Sequence, residues 1–178
     1  PRCNENVRNA WPIMFDMAKS PDGLAKLSEI FQMCTPLQNA EQVEELAVFI
    51  MMAWDTMAMG NFPFPSSYLT GDASILMSAF PVREACSYLK EEYNHPADDE
   101  KLLTALGAAA SVFNNASQSL ECYDLPADKN YDGIWDYQWC TEWMCQESYF
   151  ERTGKTDMFW SFAYDEDAID SHCYEKYG

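Results

Sequence analysis

The sequence predicts an all-α protein, a bundle of five to seven helices cross-linked by disulfides, and three observations predict it. Apolar residues recur at spacings of three and four along most of the chain, which is the helical period. No stretch alternates apolar and polar residues in a way that would support a sheet. Seven cysteines, at 3, 34, 86, 122, 140, 145 and 173, are scattered over the length instead of gathered in short metal-binding pairs, the pattern of a disulfide framework in an oxidising compartment.

Val7, Trp11, Met14 and Ala18 give the first helix its apolar stripe. Ser20-Pro21-Asp22 then supplies an N-cap, a proline at the first helical position and an acid in the first turn of a second helix. Leu24, Leu27, Ile30 and Phe31 form the inward face of that helix. Asn39, followed three residues later by Gln42, resembles a capping box, and Val43, Leu46, Ala47, Ile50, Trp54 and Met57 mark the cleanest helix of the chain. Gly60 closes it, and the two prolines of Asn61-Phe62-Pro63-Phe64-Pro65 forbid regular helix in the aromatic loop that follows. A fourth helix starts near Pro81 with Val82, Ala85, Cys86 and Leu89 inward. A fifth starts in Asp98-Asp99-Glu100, carries Leu102, Leu103, Leu106 and Val112, and ends near Asn114. Beyond a turn-rich stretch to Gly133, the segment Ile134 to Met144 is dense in aromatics, and an acidic segment runs from Asp165 to Tyr177.

The 178 residues, 48% of them apolar, suit a single globular domain over 1–178. With 29 acids against 11 Lys and Arg the net charge is −18, a field that repels nucleic acid and anionic membrane surfaces. An aromatic content of 15% argues against disorder, and no apolar run approaches the roughly 18 residues of a membrane span. The N-terminal residues carry no signal-peptide core, so a secreted protein would have its targeting segment outside this sequence. Because seven is odd, one cysteine lacks a disulfide partner within this sequence, and a partner for it would lie on another chain or on a part of the protein outside this sequence.

The chain holds no self-contained catalytic triad: there is no Gly-x-Ser-x-Gly turn, and the histidines are His95, at a helix boundary, and His172. His172 beside Cys173 imitates a nucleophile pair, yet adjacent residues of a helix face different ways. Cys140, Cys145, His172 and Cys173 offer zinc donors without the spacing of a zinc knuckle, so disulfides are the favoured reading and neither a metal nor a cofactor is expected. Asn115-Ala116-Ser117 is a glycosylation sequon at the end of a helix. Asp98-Asp99-Glu100 and Asp165-Glu166-Asp167 read as solvated helix starts, with calcium binding a weak rival.

In order along the chain stand Cys3, Trp11, Gly23-Leu24, Cys34-Thr35-Pro36-Leu37, Ala58-Met59-x-Asn61-Phe62-Pro63-Phe64, Cys86-x-Tyr88-Leu89, Val112 to Ser117, Trp135-Asp136-Tyr137-Gln138-x-Cys140-Thr141-Glu142, Thr156-Asp157-Met158-Phe159 and Cys173. This set resembles the helical cap of the lysosomal prolylcarboxypeptidase and dipeptidyl peptidase II family of serine peptidases, over nearly the whole chain. The resemblance implies a cap inserted into an α/β-hydrolase domain whose serine precedes it and whose aspartate and histidine follow it. It implies disulfides Cys3 with Cys86, Cys34 with Cys122 and Cys140 with Cys173, leaving Cys145 to bond a cysteine just upstream of residue 1.

The family acts on proline-containing peptides, so the implied partners are such a peptide and the hydrolase domain, in a lysosomal or secreted glycoprotein with its sugar on Asn115; a homodimeric parent is a further expectation. An N-terminal ammonium needs a carboxylate and a C-terminal carboxylate needs a cation. Asp136 and Glu142 are acids, no cation follows until Arg152, and Trp-Asp-Tyr-Gln is the dipeptidyl peptidase form of the motif, where the carboxypeptidase branch commonly has serine at the place of Asp136. The expectation is therefore a dipeptidyl peptidase II-like cap with Asp136, Tyr137, Gln138, Glu142 and Phe64 on substrate and Met144 beside the specificity pocket. The alternatives are a carboxypeptidase and a non-catalytic binding module. Asn61-Phe62-Pro63-Phe64 departs from the family's Asp-Tyr-Pro-Tyr, losing one charge and two hydroxyls, and Trp139 and Trp143 are atypical.

Overall fold

The structure is a computed structural model that describes residues 2–125, 134–142, 155, 157–161 and 166–178. Among the described residues it is all helical, with seven α-helices and two isolated β-bridges but no strand. The contacts gather into two compact units, Pro1–Leu125 and Pro126–Gly178.

The first unit holds α1 (Cys3–Met17), α2 (Pro21–Ile30), α3 (Ala40–Met59), α4 (Pro81–Tyr88) and α5 (Asp99–Asn114). Ser20 caps α2 by accepting from the Gly23 amide at 3.1 Å, with Pro21 at the first helical position. Gly23 is required by close approach: a Cβ there would stand 1.9 Å from the Met17 carbonyl oxygen of α1. Asn39 accepts from the Gln42 amide at 2.9 Å, but the Gln42 side chain accepts from Gln38 instead of Asn39, so the capping box closes one residue early.

All six residues expected on the inner face of α3 are at most 2% exposed. At about 1.5–3 kcal/mol for each large apolar side chain, this face contributes on the order of 10 kcal/mol before chain entropy is subtracted. Helix α5 is the hub, packing on α1, α2, α3 and α4 through Leu102, Leu103, Leu106, Ala109 and Ala110. Val112, Leu24, Ile30, Val82 and Cys86, expected inward, are only half-buried. Gly107 of α5 admits the Phe31 ring, which a Cβ would meet at 3.3 Å.

Polar clamps complete this unit. Buried Asn6 donates to the Leu89 and Glu91 carbonyls at 2.8 and 2.9 Å, satisfying the end of α4. Ser28 accepts from the Leu37 amide at 2.8 Å and donates to Leu24 at 2.7 Å. Disulfides join Cys3 to Cys86 and Cys34 to Cys122, the second beside the Met33–Tyr123 bridge. The aromatic loop after Gly60 is pinched by the Ser66–Met77 bridge and by the Phe80 amide donating to Phe62 at 2.7 Å. The second unit holds α6 (Ile134–Glu142) and α7 (Glu166–Tyr177), joined by the Cys140–Cys173 disulfide.

Candidate functional site

In the second unit the helical period places Asp136 and Cys140 on one face of α6, and His172, Cys173, Lys176 and Tyr177 on one face of α7. The disulfide ties the faces together, and among the described residues Asp136 meets three partners. His172 Nε2 lies 2.9 Å from its Oδ1, Lys176 Nζ lies 3.0 Å from Oδ2, and the Tyr177 hydroxyl donates to Oδ2 at 2.6 Å. The Tyr137 ring packs edge-on against Tyr177, centroids 5.3 Å apart.

Asp136 is only 4% exposed. Burial pushes its pKa up, but the hydrogen bonds from Tyr177, His172 and Lys176, with the charge of His172, outweigh it and hold the carboxyl at about 2. An anion so placed is neutralised within its own chain. Asp136 is turned inward and fastens α6 to α7.

The neighbours differ. Tyr137 is 52% exposed, and Gln138 and Glu142 are exposed. Phe64, in the first unit, is 57% exposed and stacks on Phe62 with centroids 5.6 Å apart and planes at 9°, while Tyr68 meets Phe62 edge-on. Met144 and Cys145 lie outside the described residues, as do Trp143 and Arg152. Asn115 pairs its amide with the backbone of Leu120, donating and accepting at 3.1 Å. With Asn114 and Tyr123 it lines a cavity of about 220 Å³.

Among the described residues, each histidine faces a carboxylate and not a serine. His95 Nδ1 contacts the Asp99 carboxylate at 2.9 and 3.0 Å, and His172 faces Asp136. Cys173 is oxidised, so it is no nucleophile beside His172. Donor atoms of Asp136, Cys140 and His172 converge within 4.8 Å, but with its sulfur in the disulfide Cys140 offers no thiolate to a metal. The acid run at α5 is locally satisfied, Asp98 being held at about 2 by the Lys101 ammonium and the amides of Asn94.

Residues 1–163 match the family described as Serine carboxypeptidase S28. The chain belongs to that family. It is 30% identical over its full length to the lysosomal Pro-X carboxypeptidase of Mus musculus, covering 34% of that protein, and 29% identical to the one of Bos taurus, also covering 34%. A Caenorhabditis elegans prolyl carboxy peptidase like protein 5 is 26% identical over 89% of the chain. The chain thus spans about a third of the length of the curated relatives it matches.

The S28 match includes α6 with Asp136 but stops short of α7, so all three partners of Asp136 lie past it. Sequence reasoning names Asp136 and misses these partners. The available signal is the pair of four-residue spacings, Asp136 to Cys140 and His172 to Lys176, brought together by the cysteine pairing that the resemblance implies.

Proposed function

We propose that residues 1–178 form the helical cap of a serine exopeptidase that cleaves peptides beside proline, with the serine, aspartate and histidine supplied by an α/β-hydrolase domain outside this chain. Membership of the S28 family and the printed activity of the mouse and bovine relatives support this reading. The engagement of both histidines with carboxylates of their own units agrees with a triad supplied from elsewhere. Disulfides and the lysosomal relatives support a lysosomal or secreted setting. A glycan on Asn115 is compatible with the local geometry, because a substituted amide nitrogen keeps one hydrogen for the Leu120 carbonyl.

The finer activity supported best is that of a Pro-X carboxypeptidase. The carrying observation is the closed environment of Asp136: a carboxylate already bonded by His172, Lys176 and Tyr177 has little left for a peptide ammonium. Exposed Tyr137, Gln138, Glu142 and Phe64, with Met144, are the residues assigned to the peptide. A second reading, dipeptidyl release from the N-terminus, is favoured by the exposed carboxylate of Glu142.

The test is product analysis with the full-length protein on a peptide carrying proline second from each end. Release of one C-terminal residue, blocked by C-terminal amidation and indifferent to N-acetylation, supports the carboxypeptidase. Release of an N-terminal dipeptide, blocked by acetylation, supports the second reading. Absence of both products overturns the exopeptidase assignment.

A further inference from the structure

Helix α3 carries a carboxylate that the reading above leaves unused. Val48, Met52, Asp55 and Met59 are spaced by four, three and four residues and so form one stripe along the helix, on the side away from its core face. Val48 is 38% exposed and Met59 62%, and Met52 and Asp55 are half-buried. Among the described residues Asp55 has no hydrogen-bond or ion-pair partner. Burial alone pushes its pKa up, with no neighbouring charge or donor to offset it. It contrasts with Asp136, which is more deeply buried and fully compensated.

A desolvated carboxylate without a counter-ion is a standing cost, relieved when a cation comes to it. The surroundings select the kind of cation. Methionines one turn away on either side give a flexible apolar surface flanking the charge. A lysine or arginine side chain has the matching form, an apolar stem ending in a cation, whereas a peptide's α-ammonium has no stem to lay on the methionines. Position points to substrate: immediately after Met59, which neighbours Asp55, the chain enters the Gly60 turn and the aromatic loop that carries Phe64.

We propose that Asp55, flanked by Met52 and Met59, is a specificity subsite that binds a basic side chain of the peptide substrate, upstream of the residue that is cleaved off. This rests on the exopeptidase reading and on Phe64 facing the peptide. The pair forms at a half-buried position, so its effect exceeds that of an exposed ion pair without reaching that of a fully buried one.

The experiment uses the full-length protein and neutral peptides ending in Pro-Phe, with a single arginine, or its uncharged isostere citrulline, scanned through the upstream positions. The wild type is expected to prefer arginine at one position by roughly five- to ten-fold in kcat/KM, and Asp55→Asn to bring that ratio close to one. The same peptides, labelled for fluorescence anisotropy, give dissociation constants and keep the inference readable even where no cleavage occurs, so failure of the activity and failure of the subsite are separate results.

An arginine preference that survives Asp55→Asn overturns the proposal. So does a preference that follows N-acetylation instead of the side chain, which would give Asp55 to the α-ammonium. Unaltered peptide binding with a lowered melting temperature also overturns it, because Asp55 would then be paired within the protein itself.

Discussion

Replacing Asp136 by asparagine removes the charge that fastens α6 to α7. Asparagine can keep its oxygen on Lys176 and the Tyr177 hydroxyl, and its NH2 group can face His172 where Nε2 is the accepting nitrogen, so what the variant loses is the ion pair to Lys176 and the charge assistance of every bond to the carboxylate. The magnitude follows from the titration of the native group. Its carboxyl is held at about 2 against an ordinary 3.8. At 1.36 kcal/mol for each unit, that is on the order of 2 kcal/mol of stability at neutral pH.

The sign is that of a depressed acid: the contribution is complete above the unfolded value and is lost as pH falls through the folded one. Nearly all of it is present at pH 6, about half at pH 3 and little at pH 2. Hydrogen exchange of the peptides spanning 134–142 and 166–178 measures it locally, without requiring the whole protein to unfold in one step. Protection in the variant is expected to drop by more than about ten-fold at pH 6 and to approach the wild type at pH 2. Equal protection at pH 6, or a gap of constant size down to pH 2, would refute the reasoning.

Gly23→Ala drives a Cβ to 1.9 Å from the Met17 carbonyl, and the helix must move; a loss of about 3 kcal/mol or more in denaturant unfolding is expected, and a neutral result contradicts the α1–α2 approach. Leu103→Ala, at a site with no exposure, opens a cavity in the α5 hub and is expected to cost about 2–5 kcal/mol in the same assay. Removing both Cys34 and Cys122 releases a loop closed over a separation of 88 residues and is expected to cost about 4 kcal/mol, read as a lower denaturation midpoint.

Much of the first unit is legible in the sequence because each of its helices carries its own punctuation. Ser20-Pro21, Asn39, Gly60, Pro81 and the acid run at Asp98 bound segments whose apolar period is clear, and the buried faces fall where that period puts them. The second unit is harder to read. Helix α7, Glu166–Tyr177, has few apolar residues, and the fixity of its inner face comes from a disulfide and from bonds to an acid more than thirty positions away. For that reason Asp136 reads from the sequence as an open acid. Asp55 is illegible for the opposite reason: an acid between apolar positions of a helix looks like an ordinary solvated residue, and only the packed structure reveals that it has no partner among the described residues.

Separating the two functions in the full-length protein checks the proposal that this chain governs access of the peptide while the chemistry belongs to another domain. Phe64→Ala and Tyr137→Ala alter exposed rings, so the fold should tolerate them. The measurement is kcat/KM on a Pro-Phe peptide beside the rate at which a small fluorophosphonate labels the active serine. The account predicts a fall of roughly five-fold or more in kcat/KM with labelling retained. Unchanged kcat/KM, or labelling lost in step with it, would contradict a role for this chain at the substrate.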